Sequence, residues 1–228
     1  SCNYFFYEVG YRLSRNNGVY DSDTGLEKLA YYADQFGLSD KSGVEISESA
    51  PKVSDFDAIR SAIGQGTNNY STVGLARYVT TVANSGNCYN LSLLSKATDA
   101  DGNLIADYTP TLRNTVDLKQ STWDAIHQGM RKVVEDKDYY KDLTIQVAGK
   151  TGTAQENRKR ANHALFVCYA PYEQPQIAIA TRIAFGYASD YAAQVTKDIV
   201  KYYFKLEDES SLITGTAEST NVVQSAGD

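Results

Sequence analysis

Histidine and cysteine are scarce in this chain, and each scarcity removes a function class. Two histidines, His127 and His163, cannot build a His-rich centre, so no metal is expected. Three cysteines, Cys2, Cys88 and Cys168, lie far apart with no C-x-x-C pair. They are too few for a disulfide framework and wrongly spaced for a zinc knuckle. No apolar run approaches the roughly 20 residues that span a bilayer, and no signal peptide opens the chain. Basic charge is also in short supply: 22 Lys and Arg face 28 Asp and Glu, for a net −6 at pH 7. Five of the acids (Glu207, Asp208, Glu209, Glu218 and Asp228) sit in a base-free terminal stretch, so the preceding body is nearly neutral. Nothing here attracts a phosphate backbone, and no nucleic-acid partner is expected.

What is present reads as one large soluble domain: 228 residues, 42% apolar and 22% charged. The chain begins at Ser1-Cys2-Asn3 without an initiator Met and passes straight into an aromatic, helix-like segment. That start is expected of a piece cut from something longer.

Four segments carry helical periodicity. Thr24–Gly37 shows a Thr24/Glu27 capping box and a terminal glycine, and Ser71–Gly86 has Ser71 as cap and the stripe Leu75, Val79, Val82, Ala83. Ser121–Glu135 opens with Ser121 and Asp124 and places Trp123, Ile126, Met130, Val133 and Val134 on one side. Ser189–Leu206 is expected to bury Ala192, Val195, Ile199, Tyr202 and Leu206. A shorter helix is expected over Tyr4–Arg15. Strands concentrate in Thr144–Gln155, His163–Ala170 and Gln176–Phe185, joined by short loops that favour antiparallel neighbours. Leu165 to Tyr169 is apolar at every position, so the middle strand should be covered on both faces. The fold class is α/β (α+β), an antiparallel sheet flanked by helices. Residues 1–206 form the domain, and 207–228 an acidic, Ser/Thr-rich flexible tail.

The chemistry-bearing stretch is Gln146-Val147-Ala148-Gly149-Lys150-Thr151-Gly152-Thr153-Ala154-Gln155. Glycine within a strand marks a bulge or a close backbone approach by a ligand. An extended substrate could pair with this strand while Lys150, Thr151 and Thr153 receive a carboxylate. By composition alone, a polar edge strand with a glycine bulge is the favoured reading. Lys41-Ser42-Gly43 has the same K-[ST]-G pattern but lies in a polar turn. Ser1-Cys2-Asn3 is an S-x-N triplet, as are Ser14-Arg15-Asn16 and Ser85-Gly86-Asn87, the last two reading as helix ends. Ala62-Ile63-Gly64-Gln65-Gly66-Thr67 is a Gly-rich turn before the Ser71 cap and lacks the phosphate-loop order.

Taken in order, Ser1-Cys2-Asn3-Tyr4-Phe5-Phe6, Ala62-Ile63-Gly64-Gln65-Gly66, Ala148-Gly149-Lys150-Thr151-Gly152-Thr153-Ala154-Gln155 and His163-Ala164-Leu165-Phe166-Val167 resemble the transpeptidase domain of class B penicillin-binding proteins. The resemblance covers roughly residues 1–206. It implies a β-lactamase/transpeptidase-like fold and serine acyl transfer on peptidoglycan stem peptides ending in D-Ala-D-Ala, with β-lactams acylating the same serine. It implies that Ser1 relays protons, Asn3 orients the substrate carbonyl, and Lys150 supplies positive field. Thr151 and Thr153 would hold the carboxylate, the Thr153 N–H would donate to the oxyanion, and Gly152 and Gln155 would line the same site. It implies no cofactor, and a place on the outer face of the bacterial cell membrane through an N-terminal anchor.

The departure is the nucleophile. S-x-x-K precedes S-x-N in that family, and the single match here, Ser49-Ala50-Pro51-Lys52, follows it and carries a proline that disfavours helix at Ala50. The chain alone is therefore expected to be inactive, its first strands and nucleophile helix missing. An exposed sheet edge is expected beside Gln176–Phe185, through which it could self-associate. The rival functions are a β-lactamase or β-lactam sensor of the same superfamily, a non-catalytic binding or scaffold piece, and an unrelated strand-pairing peptide binder.

Overall fold

A computed structural model describes residues 2–213. Its first helix, α1 (Asn3–Leu13), ends at Ser14, and Asn17 and Gly18, both at positive φ, turn the chain into a small hairpin of β1 (Arg15–Asn16) and β2 (Val19–Tyr20). Helix α2 (Ser22–Gln35) begins two residues before the expected Thr24 because Asp21 is its cap, accepting from the Asp23 N–H and the Thr24 hydroxyl. After α3 (Ala58–Ser61) comes α4 (Thr72–Ala83), capped as expected by Ser71, whose Oγ accepts from the Gly74 N–H at 3.0 Å. Four short strands follow: β3 (Asn87–Asn90), β4 (Lys96–Thr98), β5 (Leu104–Asp107) and β6 (Thr111–Thr115). They pair as β3–β6 and β4–β5. Helix α5 (Gln120–Glu135) starts after Lys119 with no side-chain cap, so Ser121 and Asp124 do not play that part.

The central sheet is the expected antiparallel meander: β7 (Ala148–Ala154), β8 (His163–Ala170) and β9 (Ile177–Ile183) in the order β7-β8-β9. Residues Thr144–Val147 lead into β7 without joining the ladder. Strand β8 is apolar on both faces because both are covered. Phe166, Cys168 and Ala170 pack with Val200, Ala192 and Ala193 of α6 (Ser189–Tyr203), while Val167 and Tyr169 pack with Val79 of α4 and Met130 of α5. A final turn, α7 (Glu209–Leu212), lies in the acidic stretch; residues 214–228 of the expected tail lie outside the described residues.

Helix α6 corrects the expected face. Its buried residues are Ala192, Ala193, Thr196 and Val200, whereas Val195, Ile199 and Tyr202 are exposed, Tyr202 by 57%. Small residues let the helix backbone approach the sheet, and the Thr196 hydroxyl is satisfied by the Ala192 carbonyl and by Thr181 of β9 at 2.7 Å. Hydrophobicity alone pointed to the wrong stripe. No strand pairs with the outer edge of β9 among the described residues, so the expected open edge is present.

Candidate functional site

Strand β7 pairs with β8 residue for residue, from Ala148 opposite Tyr169 to Ala154 opposite His163, without a register shift. The glycine-bulge alternative therefore fails. The two glycines differ in cause. A Cβ on Gly149 would come within 2.5 Å of the Phe166 ring, so that glycine is required by core packing. At Gly152 an added Cβ meets only ordinary contact with Leu165 at 3.4 Å, so packing does not demand glycine there. Packing therefore leaves the glycine at 152 unexplained.

The direction of the backbone groups follows from their partners. Arg131 Nη1 donates to the Val147 carbonyl at 3.0 Å, Lys150 Nζ to the Thr151 carbonyl at 2.7 Å, and Gln65 Nε2 to the Thr153 carbonyl at 3.4 Å. The Gln146 carbonyl instead accepts from Tyr172, at the end of β8. In an antiparallel ladder each residue's N–H and C=O point to the same side, alternating along the strand. Odd-numbered residues of β7 thus face away from β8, and Thr151 and Thr153 present both backbone groups to an edge that no strand pairs among the described residues. Their side chains share one face, and that of Lys150, opposite Val167, lies on the other. Lys150 is half-buried, and this desolvation, with the positive charge of Lys137, holds its pKa below the usual lysine value. A cation in that setting interacts strongly with any anion brought to the same edge.

Gln65, read from sequence only within the Gly-rich turn and the motif built on it, links this strand to the loop after α3 through its side chain. It follows α3, where Gly64 and Gly66 both take φ +82°. A Cβ on Gly66 would lie 2.5 Å from Ser54 Oγ and 2.7 Å from Ser61 Oγ, so the loop closes only around glycine. Ser61 Oγ donates to Ser54 Oγ at 2.7 Å, and Asn68 Nδ2 donates to the Gln65 carbonyl at 3.0 Å. This polar knot fixes the Gln65 backbone. On its other side, α3 packs on α1 through Gly10, whose added Cβ would fall 2.8 Å from that of Ala62. Asn3 lies exposed in the first turn of α1, and Ser1 lies outside the described residues. Among the described residues no hydrogen bond or ion pair joins Asn3 to Lys150; α3 and the Gln65 loop lie between the S-x-N and K-T-G elements.

Beyond Ala154, Gln155 is exposed, and the loop it starts is pinned by His163. Nδ1 of that ring accepts from the Phe185 N–H at 3.2 Å, and Nε2 faces Glu156 at 3.2 Å. His163 is thus a structural clasp. Ser49 lies in exposed, non-helical chain, and Lys52 is held in an antiparallel bridge with Asn69 and an ion pair with Asp55 at 3.0 Å, so the S-x-x-K match has no helical geometry. Lys41-Ser42-Gly43 lies in irregular chain, outside any strand or regular turn. Its Lys41 carbonyl accepts from Arg77, and both the Ser42 N–H and its hydroxyl donate to Glu48. Among the described residues no group of three His, Cys, Asp or Glu could hold a metal, and no helix is long and apolar enough to cross a membrane.

An antiparallel sheet with α6 on one face, α4 and α5 on the other, and a Lys-Thr-Gly-Thr edge strand defines the β-lactamase-like fold. The chain belongs to the penicillin-binding protein transpeptidase domain family, whose model matches residues 1–201. Among curated relatives it is 27% identical over 212 residues to penicillin-binding protein 2B of Streptococcus pneumoniae, covering 82% of this chain and 31% of that protein. It is 27% identical to the peptidoglycan D,D-transpeptidase MrdA of Haemophilus influenzae, covering 87% of this chain and 34% of that one. The chain thus spans about a third of the length of these relatives. Solved structures agree in fold. Penicillin-binding protein 2B from Streptococcus pneumoniae superposes with a TM-score of 0.77 at 24% identity, over 90% of this chain and 38% of that one. The imipenem acyl-enzyme complex of penicillin-binding protein A from M. tuberculosis gives 0.76 at 20% identity, over 89% and 45%.

Proposed function

We propose that this chain is the carboxylate-docking portion of a peptidoglycan D,D-transpeptidase that binds stem peptides ending in D-Ala-D-Ala, and β-lactams in their place. The observation that carries the reading is the unpaired edge of β7, where Thr151 and Thr153 turn their N–H and C=O groups outward next to a partly desolvated Lys150. An extended peptide adds to such an edge as a strand. Its terminal carboxylate is received by the Thr151 and Thr153 hydroxyls in the field of Lys150. The Thr153 N–H then faces the carbonyl under attack and donates to the oxyanion, a contact typically worth about 10²–10³ in rate because the charge appears only in the transition state. Asn3 orients the substrate amide, Ser1 relays the proton, and Gly152 and Gln155 line the approach. The one S-x-x-K match, Ser49 to Lys52, lacks helical geometry, so this chain is expected to form no acyl-enzyme.

The body of the domain ends near residue 206. The open edge of β9 and the exposed apolar face of α6 are surfaces for further sheet, or for a second copy. The working location is the outer face of the bacterial cell membrane. Incubation with a fluorescent penicillin followed by denaturing electrophoresis tests the half-site reading. No labelled band is expected from the chain alone, and a band whose label maps to Ser49 or another serine of this sequence contradicts it.

A further inference from the structure

We propose that Gln65 is a displaceable cap on the docking edge: its side-chain amide occupies the Thr153 carbonyl, and an incoming peptide must displace it. The inference rests on the docking function proposed for β7. Three carbonyls turned away from β8, that of Val147 just before β7 and those of Thr151 and Thr153 within it, each accept from a side chain: Arg131, Lys150 and Gln65 respectively. An unpaired strand edge invites pairing with any other strand, and capping its acceptors blunts that hazard. The three caps are unequal. The Arg131 and Lys150 bonds are 3.0 and 2.7 Å and part-buried, whereas the Gln65 bond is 3.4 Å, neutral and solvent-exposed. It is the weakest, and it sits on a residue whose N–H and C=O both face the edge.

The loop does not depend on that bond. The Gln65 N–H donates to the Arg60 carbonyl at 3.2 Å and its own carbonyl accepts from Asn68, so the side chain can swing away while the backbone stays. A neutral amide–carbonyl bond exchanged for water is nearly balanced in free energy, so displacing the cap costs only a small factor in affinity. Gln65 therefore acts as a positioning residue that keeps the rail closed to stray strands and yields to a peptide that also satisfies Lys150 and the two threonines.

The test uses the isotope-labelled 228-residue chain and its Gln65→Ala and Gln65→Met variants, titrated with diacetyl-L-lysyl-D-alanyl-D-alanine and followed by NMR. Without peptide, the Thr153 carbonyl-carbon resonance should shift upfield in both variants while the rest of the spectrum holds; no shift overturns the cap. With peptide, both variants should bind about threefold more tightly than the parent, the factor expected for removing one weak neutral hydrogen bond. Equal or weaker binding, with Thr151 and Thr153 amides still perturbed, overturns the cap and leaves the docking reading standing. A gain in Gln65→Ala but not in Gln65→Met assigns the effect to bulk and also overturns it. If the peptide perturbs neither threonine in any of the three proteins, the docking reading fails and the displacement step fails with it.

Discussion

The sheet and the segment between α2 and α4 are held by different physics. In β7–β8–β9, Phe166 is fully buried between Tyr140 and the small residues of α6, and stability comes from apolar area removed from water. The 37–71 segment has little regular structure, and buried polar groups shape it instead. Arg77 of α4, fully buried, donates to the carbonyls of Gly37, Asp40 and Lys41 and to the Asp40 carboxylate. Glu48 joins Ser42 to Ser71, the cap of α4. The sheet rests on filled volume, the segment on its donors. It is this second region that carries Gln65 to the edge of the first.

Three changes sharpen that contrast. The largest effect is expected for Phe166→Ala, which should cost about 3–5 kcal/mol by the cavity it leaves and lower the unfolding midpoint of the whole chain in urea. Next is Arg77→Met, which fills most of the volume but strands several buried carbonyls, at about 3 kcal/mol. Hydrogen exchange should rise first around Gly37–Ser42 and only later in the sheet; loosening of both regions together would break the comparison. The smallest is an acid effect at Glu48. Burial raises its pKa, but hydrogen bonds from the Ser71 hydroxyl and from the Ser42 N–H and hydroxyl outweigh this and hold it below the usual glutamate value. A depressed folded-state pKa means the stabilisation is present above the unfolded value and is lost as pH falls through the folded one. Glu48→Gln should therefore flatten the acid limb of the stability curve below the ordinary glutamate range, and an unchanged limb would remove Glu48 from the account.

The sheet is legible because Val, Ile, Phe, Tyr and Ala follow one another in three short runs with tight connections, and the edge motif because a glycine-flanked lysine and threonine, with a second threonine just beyond, are unusual in a strand. The burial side of α6 is not, since Ala192, Ala193 and Thr196 carry it and hydrophobicity favours Val195 and Ile199 instead. The β3–β6 pair escaped notice because Asn87–Asn90 and Thr111–Thr115 are polar and irregular, with a register shift after Cys88. The α2 start was misplaced because Thr24 resembles a cap, while Asp21 accepts the bonds, including one from Thr24 itself. Nothing local could reveal Gln65 at Thr153. The contact spans 88 residues and depends on two glycines at positive φ and on a knot of serine hydroxyls.

On the proposed function, the outer edge of β7 receives a terminal carboxylate. The most direct measurement compares amide spectra of the labelled chain titrated with an N-acyl-D-Ala-D-Ala peptide as the free acid and as its C-terminal amide. The free acid is predicted to move the resonances of Thr151, Gly152 and Thr153. Binding should be about tenfold weaker when either the ligand's charge or, by Lys150→Ala, the protein's is removed. Equal binding of acid and amide, or perturbations confined to β9 and α6, would contradict the account.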